Sequence, residues 1–211
     1  MGIITIAEEF ARNTILPRAA AWEKSRAMAT TEVREAINVG IGSLKIGVEH
    51  GGLGLDYLRV GNVLRVLASA DFPFAFSLAV HSAVAGLIAE YGSPVQLDQY
   101  VRRVQTGELI LSVCITEPSA GSDAAAMQTK ATRRHGGWQI NGSKAWITNA
   151  VSADLFLVYA QTDVDAGPAG ICRIFSSENV PGSLDYGSLR SRGVPFYGPR
   201  WGRALRLFRS R

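Results

Sequence analysis

Residues 115–123 (ITEPSAGSD) form a segment of small and hydroxyl-bearing residues that follows an apolar run and could bind a ligand. Small side chains let backbone N–H groups approach ligand oxygens closely, which suits a phosphate or the edge of a flavin. Clusters of Ser, Gly and Asp also form ordinary turns. On its own, the segment leaves both interpretations open.

Residues 144–150 (KAWITNA) place an aromatic ring and a hydroxyl two positions apart, at Trp146 and Thr148. Residues two apart on a β-strand point to the same face, so we expect these two side chains to lie together. A Trp could pack on a flat cofactor there while the Thr hydrogen-bonds the edge of the cofactor, although a core Trp is the commoner case.

The cysteines and histidines lack the spacing of a metal site. Cys114 and Cys172 each lie in an apolar run, which predicts two reduced core residues. His50, His81 and His135 are scattered, with no pattern of carboxylates around them, so surface or structural roles are expected. The sequence therefore predicts no metal site.

The charge of the chain is unevenly distributed. The formal net charge is +4, but residues 182–211 contain seven Arg and one Asp, so the remainder is slightly acidic. A nucleic-acid-binding domain is expected to spread Lys and Arg over a folded face with aromatic residues between them. We therefore expect no nucleic-acid partner, and binding by the basic tail is a minor alternative.

Two classes of secondary structure must position the chemical segments, and the first is helical. Apolar residues recur at helical spacing in the first half of the chain, and Gly or Pro marks the breaks. Helices are predicted for residues 5–27, 30–47, 58–70, 74–91 and 94–107. Ser93-Pro94 is a good helix start, whereas the glycine-rich residues 49–55 must form a loop.

After Glu108 the pattern changes to that of β-strands. Strands are predicted for residues 109–116, 137–140, 144–148, 154–161 and 170–175. Asn141-Gly142 predicts a tight hairpin turn, because this dipeptide accepts two positive φ angles. The chain is therefore predicted to be α+β, with an all-helical domain at residues 1–107, a middle β-domain (barrel or sandwich) at 108–181 and an irregular, disordered basic tail at 182–211.

The sequence carries no signal for secretion or for membrane insertion. No uninterrupted apolar run reaches eighteen residues, and the first residues lack the basic start and apolar stretch of a signal peptide. We expect a cytoplasmic protein without a membrane span.

Together, the two chemical segments resemble the signatures of the acyl-CoA dehydrogenase family. Further motifs of that family occur in order at residues 49–57 (EHGGLGLDY), 91–93 (YGS) and 106–108 (TGE). The resemblance covers residues 5–182 and is specific, because several short motifs in family order rarely arise by chance. It implies an N-terminal helical domain, a middle β-domain and FAD bound against the strands.

The resemblance also implies which residues contact the cofactor. The expected FAD-binding residues are Val113, Ile115, Thr116, Gly121, Ser122, Trp146, Ile147 and Thr148. Thr116 is expected near the flavin ring, and Ser122 near the pyrophosphate and the substrate. The protein would orient and tune the flavin, while the cofactor carries the redox chemistry.

The family reaction is α,β-dehydrogenation of an acyl-CoA thioester, in which a carboxylate removes the α-proton and a hydride passes to the flavin. In most members this base is a Glu of a C-terminal helical domain, which we expect to be missing here. Glu49 and Glu117 are not expected to replace it, so no catalytic residue is predicted. The resemblance ends near residue 182, which favours a truncated or frameshifted chain that retains FAD weakly and is inactive.

For an intact relative, the resemblance implies an acyl-CoA substrate, electron-transfer flavoprotein or a similar electron acceptor, and a homo-oligomer. Two alternatives stay open. Similar proteins act as acyl-CoA oxidases, flavin monooxygenases or nitroalkane oxidases, and the two signatures do not separate these cleanly. The chain could also be a non-catalytic fragment that binds an acyl-CoA or a full-length relative.

Overall fold

The structure, a computed structural model, describes residues 2–27, 29–135, 137–177 and 203–207. The chain divides into two compact units, Met1–Leu111 and Ser112–Arg211. The first is helical and the second contains a mixed β-sheet, which confirms the predicted α+β class.

The described part of the first unit is built from α-helices, most of them joined by short turns, with a longer connection at residues 39–56. They are α1 Ile3–Phe10, α2 Leu16–Ser25, α3 Thr30–Asn38, α4 Tyr57–Ala70, α5 Phe72–Tyr91 and α6 Pro94–Gln105. Ala11–Ile15 form a π-helical stretch between α1 and α2, so the helix predicted at 5–27 continues through an irregular turn. The helix predicted at 30–47 is too long, because Gly40, with a φ of 99°, leaves the helical conformation just after α3.

The first turn of α6 confirms the predicted helix start at Ser93-Pro94. The Ser93 hydroxyl accepts a hydrogen bond from Gln96 N at 3.3 Å, and Gln96 Oε1 accepts one from Ser93 N at 2.9 Å. This reciprocal capping box satisfies two backbone donors that the helix itself leaves unpaired.

The glycine-rich loop before α4 has a structural role. Its backbone pairs with the preceding turn, with Gly54 N donating to Ile46 O at 2.8 Å and Leu55 N donating to Leu44 O at 2.9 Å. A Cβ added at Gly52 would lie 2.6 Å from the carbonyl carbon of Ile46, so a larger residue could not approach this closely. The motif therefore serves to fold the helical unit.

α5 is the most apolar helix of the first unit. It is the one helix, within the described ranges, that is long and apolar enough to cross a membrane by length and composition alone. Of its 18-residue apolar window, 61% is buried inside the protein, as in the core helix of many globular proteins. This property is therefore weak support for a membrane location.

His81 on α5 is a core residue with a structural contact. It is 0% exposed, and its Nδ1 accepts a hydrogen bond from Leu111 N at 3.2 Å. Burial lowers the pKa of His81 from 6.5 to about 3, because the imidazolium would lose its hydration in the core. The neutral imidazole therefore anchors the end of the helical unit.

Acidification is expected to destabilise the helical unit through His81. The unfolded histidine takes up a proton near pH 6.5, whereas the folded one does so only near pH 3. Its stabilising contribution is thus complete above pH 6.5 and is lost as the pH falls, by about 2 kcal/mol between pH 7 and pH 5. Urea unfolding followed by far-UV circular dichroism at several pH values measures this loss.

His81→Asn is the matched control, since it retains an acceptor near Leu111 N but cannot be protonated in this range. The carboxyl groups of the unfolded chain titrate mostly below pH 5, which leaves this window to the histidine. An equally steep pH dependence in the His81→Asn variant would contradict the assignment.

The second unit holds a mixed β-sheet. Its strands are β1 Leu111–Cys114, β2 Lys130–Arg134, β3 Gly137–Ile147, β4 Leu155–Gln161, β5 Ile171–Ser177 and β6 Arg203–Leu207. The order is β1-β4-β2-β3-β6, and β5 pairs with β4. β4 is almost entirely buried and provides the core of the sheet.

The predicted hairpin turn at Asn141-Gly142 is wrong. These residues lie inside β3, where Asn141 pairs with Lys130, and the hairpin is instead formed by β2 and β3, which meet between Arg134 and Gly137. A Cβ added at Gly142 would lie 2.7 Å from the Cα of Thr129, so this glycine permits close approach of two backbones.

The buried position predicted for Cys172 is also wrong. Cys114 is buried, but Cys172 is exposed, and neither forms a disulfide. Among the described strands, β5 pairs with β4 alone and so lies at an edge, where part of the surface of β5 faces solvent. Within the predicted tail, Arg203–Leu207 form β6 on the edge of β3, and the rest of residues 182–211 lies outside the described residues.

Candidate functional site

The two chemical segments lie side by side in the second unit. Near one end of the contact, the Ser112 hydroxyl donates a hydrogen bond to Thr148 O at 2.5 Å. Near the other, Ala145 N donates to Thr116 O at 2.8 Å. The chain leaving β1 and the end of β3 therefore run in opposite directions against each other, with Thr116 and Thr148 separated by roughly 10 Å along them.

A buried ion pair joins the same two segments. Lys144 Nζ lies 2.9 Å from Glu117 Oε1, and the two side chains are 0% and 3% exposed. Lys144 Nζ also donates to Ile115 O at 2.9 Å. The carboxylate accepts from Gln128 N at 2.6 Å and from Thr129 N at 2.8 Å, so both charges have several partners.

Burial and the interactions within the pair have opposite effects on the pKa of each residue. Burial alone would raise the pKa of the Glu117 carboxyl, but hydrogen bonds from Thr129, Gln128 and Lys144 hold it below its ordinary value. Burial lowers the pKa of Lys144, and Glu117 opposes this effect. Burial also raises the pKa of the nearby Cys114 thiol to about 12, which keeps it protonated and unreactive.

The residues predicted from the first signature fall into two groups. Val113 and Ile115 are half-buried, while Ser112 and Cys114 are buried, as expected for alternating faces of a strand. Thr116, which lies beyond the end of β1, is also half-buried and does not follow this alternation. The partly accessible residues of this segment are thus two apolar side chains and one hydroxyl.

Gly121 and Ser122 belong to an exposed loop farther from β1. The loop begins where Glu117 N and Ala120 O pair at 2.8 Å, and nothing lies within 4 Å of a Cβ added at Gly121. The backbone there is open to a ligand.

The residues predicted from the second signature do not share one face. Trp146 has a φ of 59° and is 59% exposed, whereas Thr148 follows the end of β3 and is 8% exposed. The pairing of β3 with β6 shifts register between Lys144 and Ile147, so the regular alternation is lost there. Ile147 is buried, which leaves the Trp146 ring as the accessible group of this segment.

An open groove of about 450 Å³ lies beside the ion pair. Its lining comprises Glu117, Pro118, Ser119, Gln128, Thr129, Lys130, Asn141, Gly142 and Ser143. None of the predicted cofactor-binding residues lines this groove. Val113, Ile115 and Thr116 instead lie in and just after β1, Gly121 and Ser122 in the exposed loop, and the residues of the second signature at the end of β3.

The buried pair was missed as a unit by the sequence reasoning. Glu117 and Lys144 are charged residues next to apolar strands. Charged residues are seldom buried unless they are paired, so the presence of one acidic and one basic residue beside these strands is the signal that could have predicted the pair. Among residues 2–27, 29–135, 137–177 and 203–207, no cluster of three or more His, Cys, Asp or Glu could hold a metal ion.

Comparison with protein families gives two consecutive matches. The acyl-CoA dehydrogenase N-terminal domain matches residues 3–108, and the acyl-CoA dehydrogenase middle domain matches residues 112–183. The boundary between them coincides with the division between the helical unit and the β unit.

Similar proteins come from the same family. Isobutyryl-CoA dehydrogenase of Dictyostelium discoideum mitochondria is 34% identical over 183 residues, which cover 87% of this chain and 44% of that protein. The chain thus spans less than half the length of this relative.

Two solved structures have the same fold over nearly the whole chain. Butyryl-CoA dehydrogenase of Megasphaera elsdenii superimposes with a TM-score of 0.84 and 26% identity, over 97% of this chain and 54% of that one. PigA with FAD and proline has a TM-score of 0.85 and 27% identity, over 98% and 54%. From the two family matches in sequence order, the chain belongs to the acyl-CoA dehydrogenase family.

Proposed function

We propose that this chain forms the FAD-binding wall of an acyl-CoA dehydrogenase, with an acyl-CoA thioester as substrate. The observation that carries the proposal is the hydrogen bond from Ala145 N to Thr116 O, because it joins the two signature segments in one surface. The FAD named for PigA, which has the same fold, supports the choice of cofactor.

The accessible groups of this surface fit a flavin. Val113 and Ile115 offer apolar contacts to a flat ring, and the Thr116 hydroxyl offers a hydrogen bond to its edge. The Trp146 ring, which is 59% exposed, offers a flat aromatic surface. The open loop at Gly121 and Ser122 offers backbone N–H groups and a hydroxyl to phosphate oxygens.

When bound, FAD supplies the hydride acceptor of an α,β-dehydrogenation. The residues of this chain hold the ring and exclude water from it. Glu117 is unsuited to act as the base, because its carboxylate is buried and bonded to Lys144 and to two backbone N–H groups. We place the base outside the described residues, in agreement with the C-terminal helical domain that supplies it in most of the family.

The proposal extends to the origin of the Arg-rich sequence after residue 182. Its abrupt change of composition supports a change of reading frame in the coding sequence. Translation of the surrounding DNA in the other frames tests this, since the absence of any family-like continuation would contradict it. For the whole protein, we propose electron-transfer flavoprotein or a similar protein as the electron acceptor, and a homo-oligomeric state.

Titration of the full chain with FAD tests the proposed cofactor. We expect saturable but weak binding, seen as a change in flavin fluorescence, with FAD lost on gel filtration because the described residues form one side of the proposed site. Trp146→Ala is expected to weaken binding about 3- to 10-fold by removing the stacking contact.

Trp138→Ala is the matched control for this titration. Trp138 is also an exposed Trp of the β unit, at 40%, but it lies at the start of β3, where the Arg133 guanidinium is 5.2 Å from the centre of its ring. Equal effects of the two substitutions, or no saturable binding at all, would contradict the site. Reduction of a dye by the isolated chain with isobutyryl-CoA or butyryl-CoA would contradict the placement of the base elsewhere.

A further inference from the structure

The buried ion pair occupies the junction of the two signature segments. Glu117 directly follows Thr116, and Lys144 directly precedes Ala145, whose N–H donates to Thr116 O. Lys144 Nζ also holds Ile115 O at 2.9 Å. Thr116 is therefore flanked by anchored atoms on both sides and is itself bonded to β3.

The carboxylate is fixed from the opposite direction. Glu117 accepts hydrogen bonds from Gln128 N and Thr129 N, which belong to the chain entering β2. The pair thus connects three stretches of backbone: the end of β1, the start of β2 and the end of β3. Charge-assisted hydrogen bonds of this kind are shorter and stronger than neutral ones, and in a dry site they restrict motion.

We infer that the Glu117–Lys144 pair is a positioning device for the flavin, which fastens residues 115–117 to β3 and thereby fixes Thr116 against the ring. The inference rests on the FAD binding proposed above. Neither ion contacts the cofactor, since both side chains are buried, and their effect reaches the flavin through the backbone of Thr116.

The arrangement is directional. Lys144 donates to a backbone carbonyl, whereas Glu117 accepts from backbone N–H groups. Exchange of the two residues would place an ammonium against N–H donors and a carboxylate against a carbonyl oxygen. The double variant Glu117→Lys/Lys144→Glu keeps the net charge unchanged. It is nevertheless expected not to restore the FAD binding that either single substitution weakens.

Lys144→Met tests the inference in the full chain, with Lys130→Met as the matched control on the neighbouring strand. Lys130 is exposed, whereas Lys144 is fully buried. We expect Lys144→Met to raise the FAD dissociation constant at least tenfold and to speed amide hydrogen exchange at residues 113–120. Lys130→Met should change both by less than twofold.

The absorption spectrum of the bound flavin separates positioning from general loss of structure. Loss of folded protein lowers the bound fraction, but a moved Thr116 also shifts the bands of the flavin that remains bound at saturation. The double variant Glu117→Gln/Lys144→Met contains no unpaired buried ion, so it serves if the single variant does not fold. Amide hydrogen exchange can also be measured in the wild-type chain, without any variant. Rapid hydrogen exchange at Ala145 N would overturn the inference.

The outcomes distinguish the two levels of the proposal. Saturable FAD binding that Lys144→Met leaves within twofold, with an unchanged flavin spectrum, would overturn the positioning role alone. Absence of saturable binding by the wild-type chain would overturn the proposed function, and the role toward the flavin with it. Weakened binding with shifted flavin bands and faster exchange would support both.

Discussion

Replacement of Glu117 by alanine is expected to lower the free energy of unfolding of the β unit by about 3–5 kcal/mol. The substitution leaves the fully buried Lys144 ammonium without its carboxylate, and Gln128 N and Thr129 N without their acceptor. The buried Lys144 ammonium would then have neither water nor a carboxylate beside it, so the cost of removing it from water would destabilise the folded state. Denaturant unfolding followed by tryptophan fluorescence measures the change.

Glu108→Ala is the control for this prediction. Glu108 also forms an ion pair, with Arg103 at 2.6 Å, but these side chains are 57% and 43% exposed. Solvent screens an exposed pair, so its loss should cost less than about 1 kcal/mol. Similar losses in the Glu117→Ala and Glu108→Ala variants would show that the burial of the first pair has no energetic consequence.

Gly107→Ala is expected to destabilise the helical unit by about 2–3 kcal/mol. Gly107 has a φ of 74°, which strains any residue with a Cβ. The added Cβ would also lie 2.7 Å from Arg34 O, which is backbone and cannot swing aside. Arg34 Nη1 donates to Gly107 O at 2.5 Å and to Glu108 O at 2.8 Å, so a shift here would weaken this clamp as well.

Gly61→Ala provides the opposite expectation within the same unit. Gly61 lies in the middle of α4, without a positive φ, and nothing lies within 4 Å of an added Cβ. Alanine should stabilise the helix by about 0.5–1 kcal/mol, because it restricts the unfolded chain more than glycine does. Thermal unfolding of both variants gives the comparison, and a stabilised Gly107→Ala variant would contradict the structural role of this turn.

The helical unit was largely predictable from sequence, because its signals are local. Apolar spacing located the helices, and Ser93-Pro94 marked the start of α6. The proximity of the two signature segments was implied by the family resemblance and is present in the structure as the Thr116–Ala145 hydrogen bond. Which atoms contact a flavin stays a prediction.

The errors in the β unit arise from tertiary effects. β2 has one buried residue, Ala131, among polar and charged ones, so no apolar alternation marked it as a strand. Gly142 was interpreted as a turn residue, although its lack of a side chain serves contact with Thr129. The left-handed backbone of Trp146 depends on the local register shift of β3, which periodicity cannot reveal.

The unequal burial of the two thiols gives the folded chain a built-in reporter. A maleimide dye should react in the native state with Cys172 on β5, while Cys114 stays shielded inside the sheet. Denaturation would make a second equivalent of thiol titratable. The rate at which that second equivalent appears therefore measures how often the interior of the sheet opens to solvent, without any engineered label.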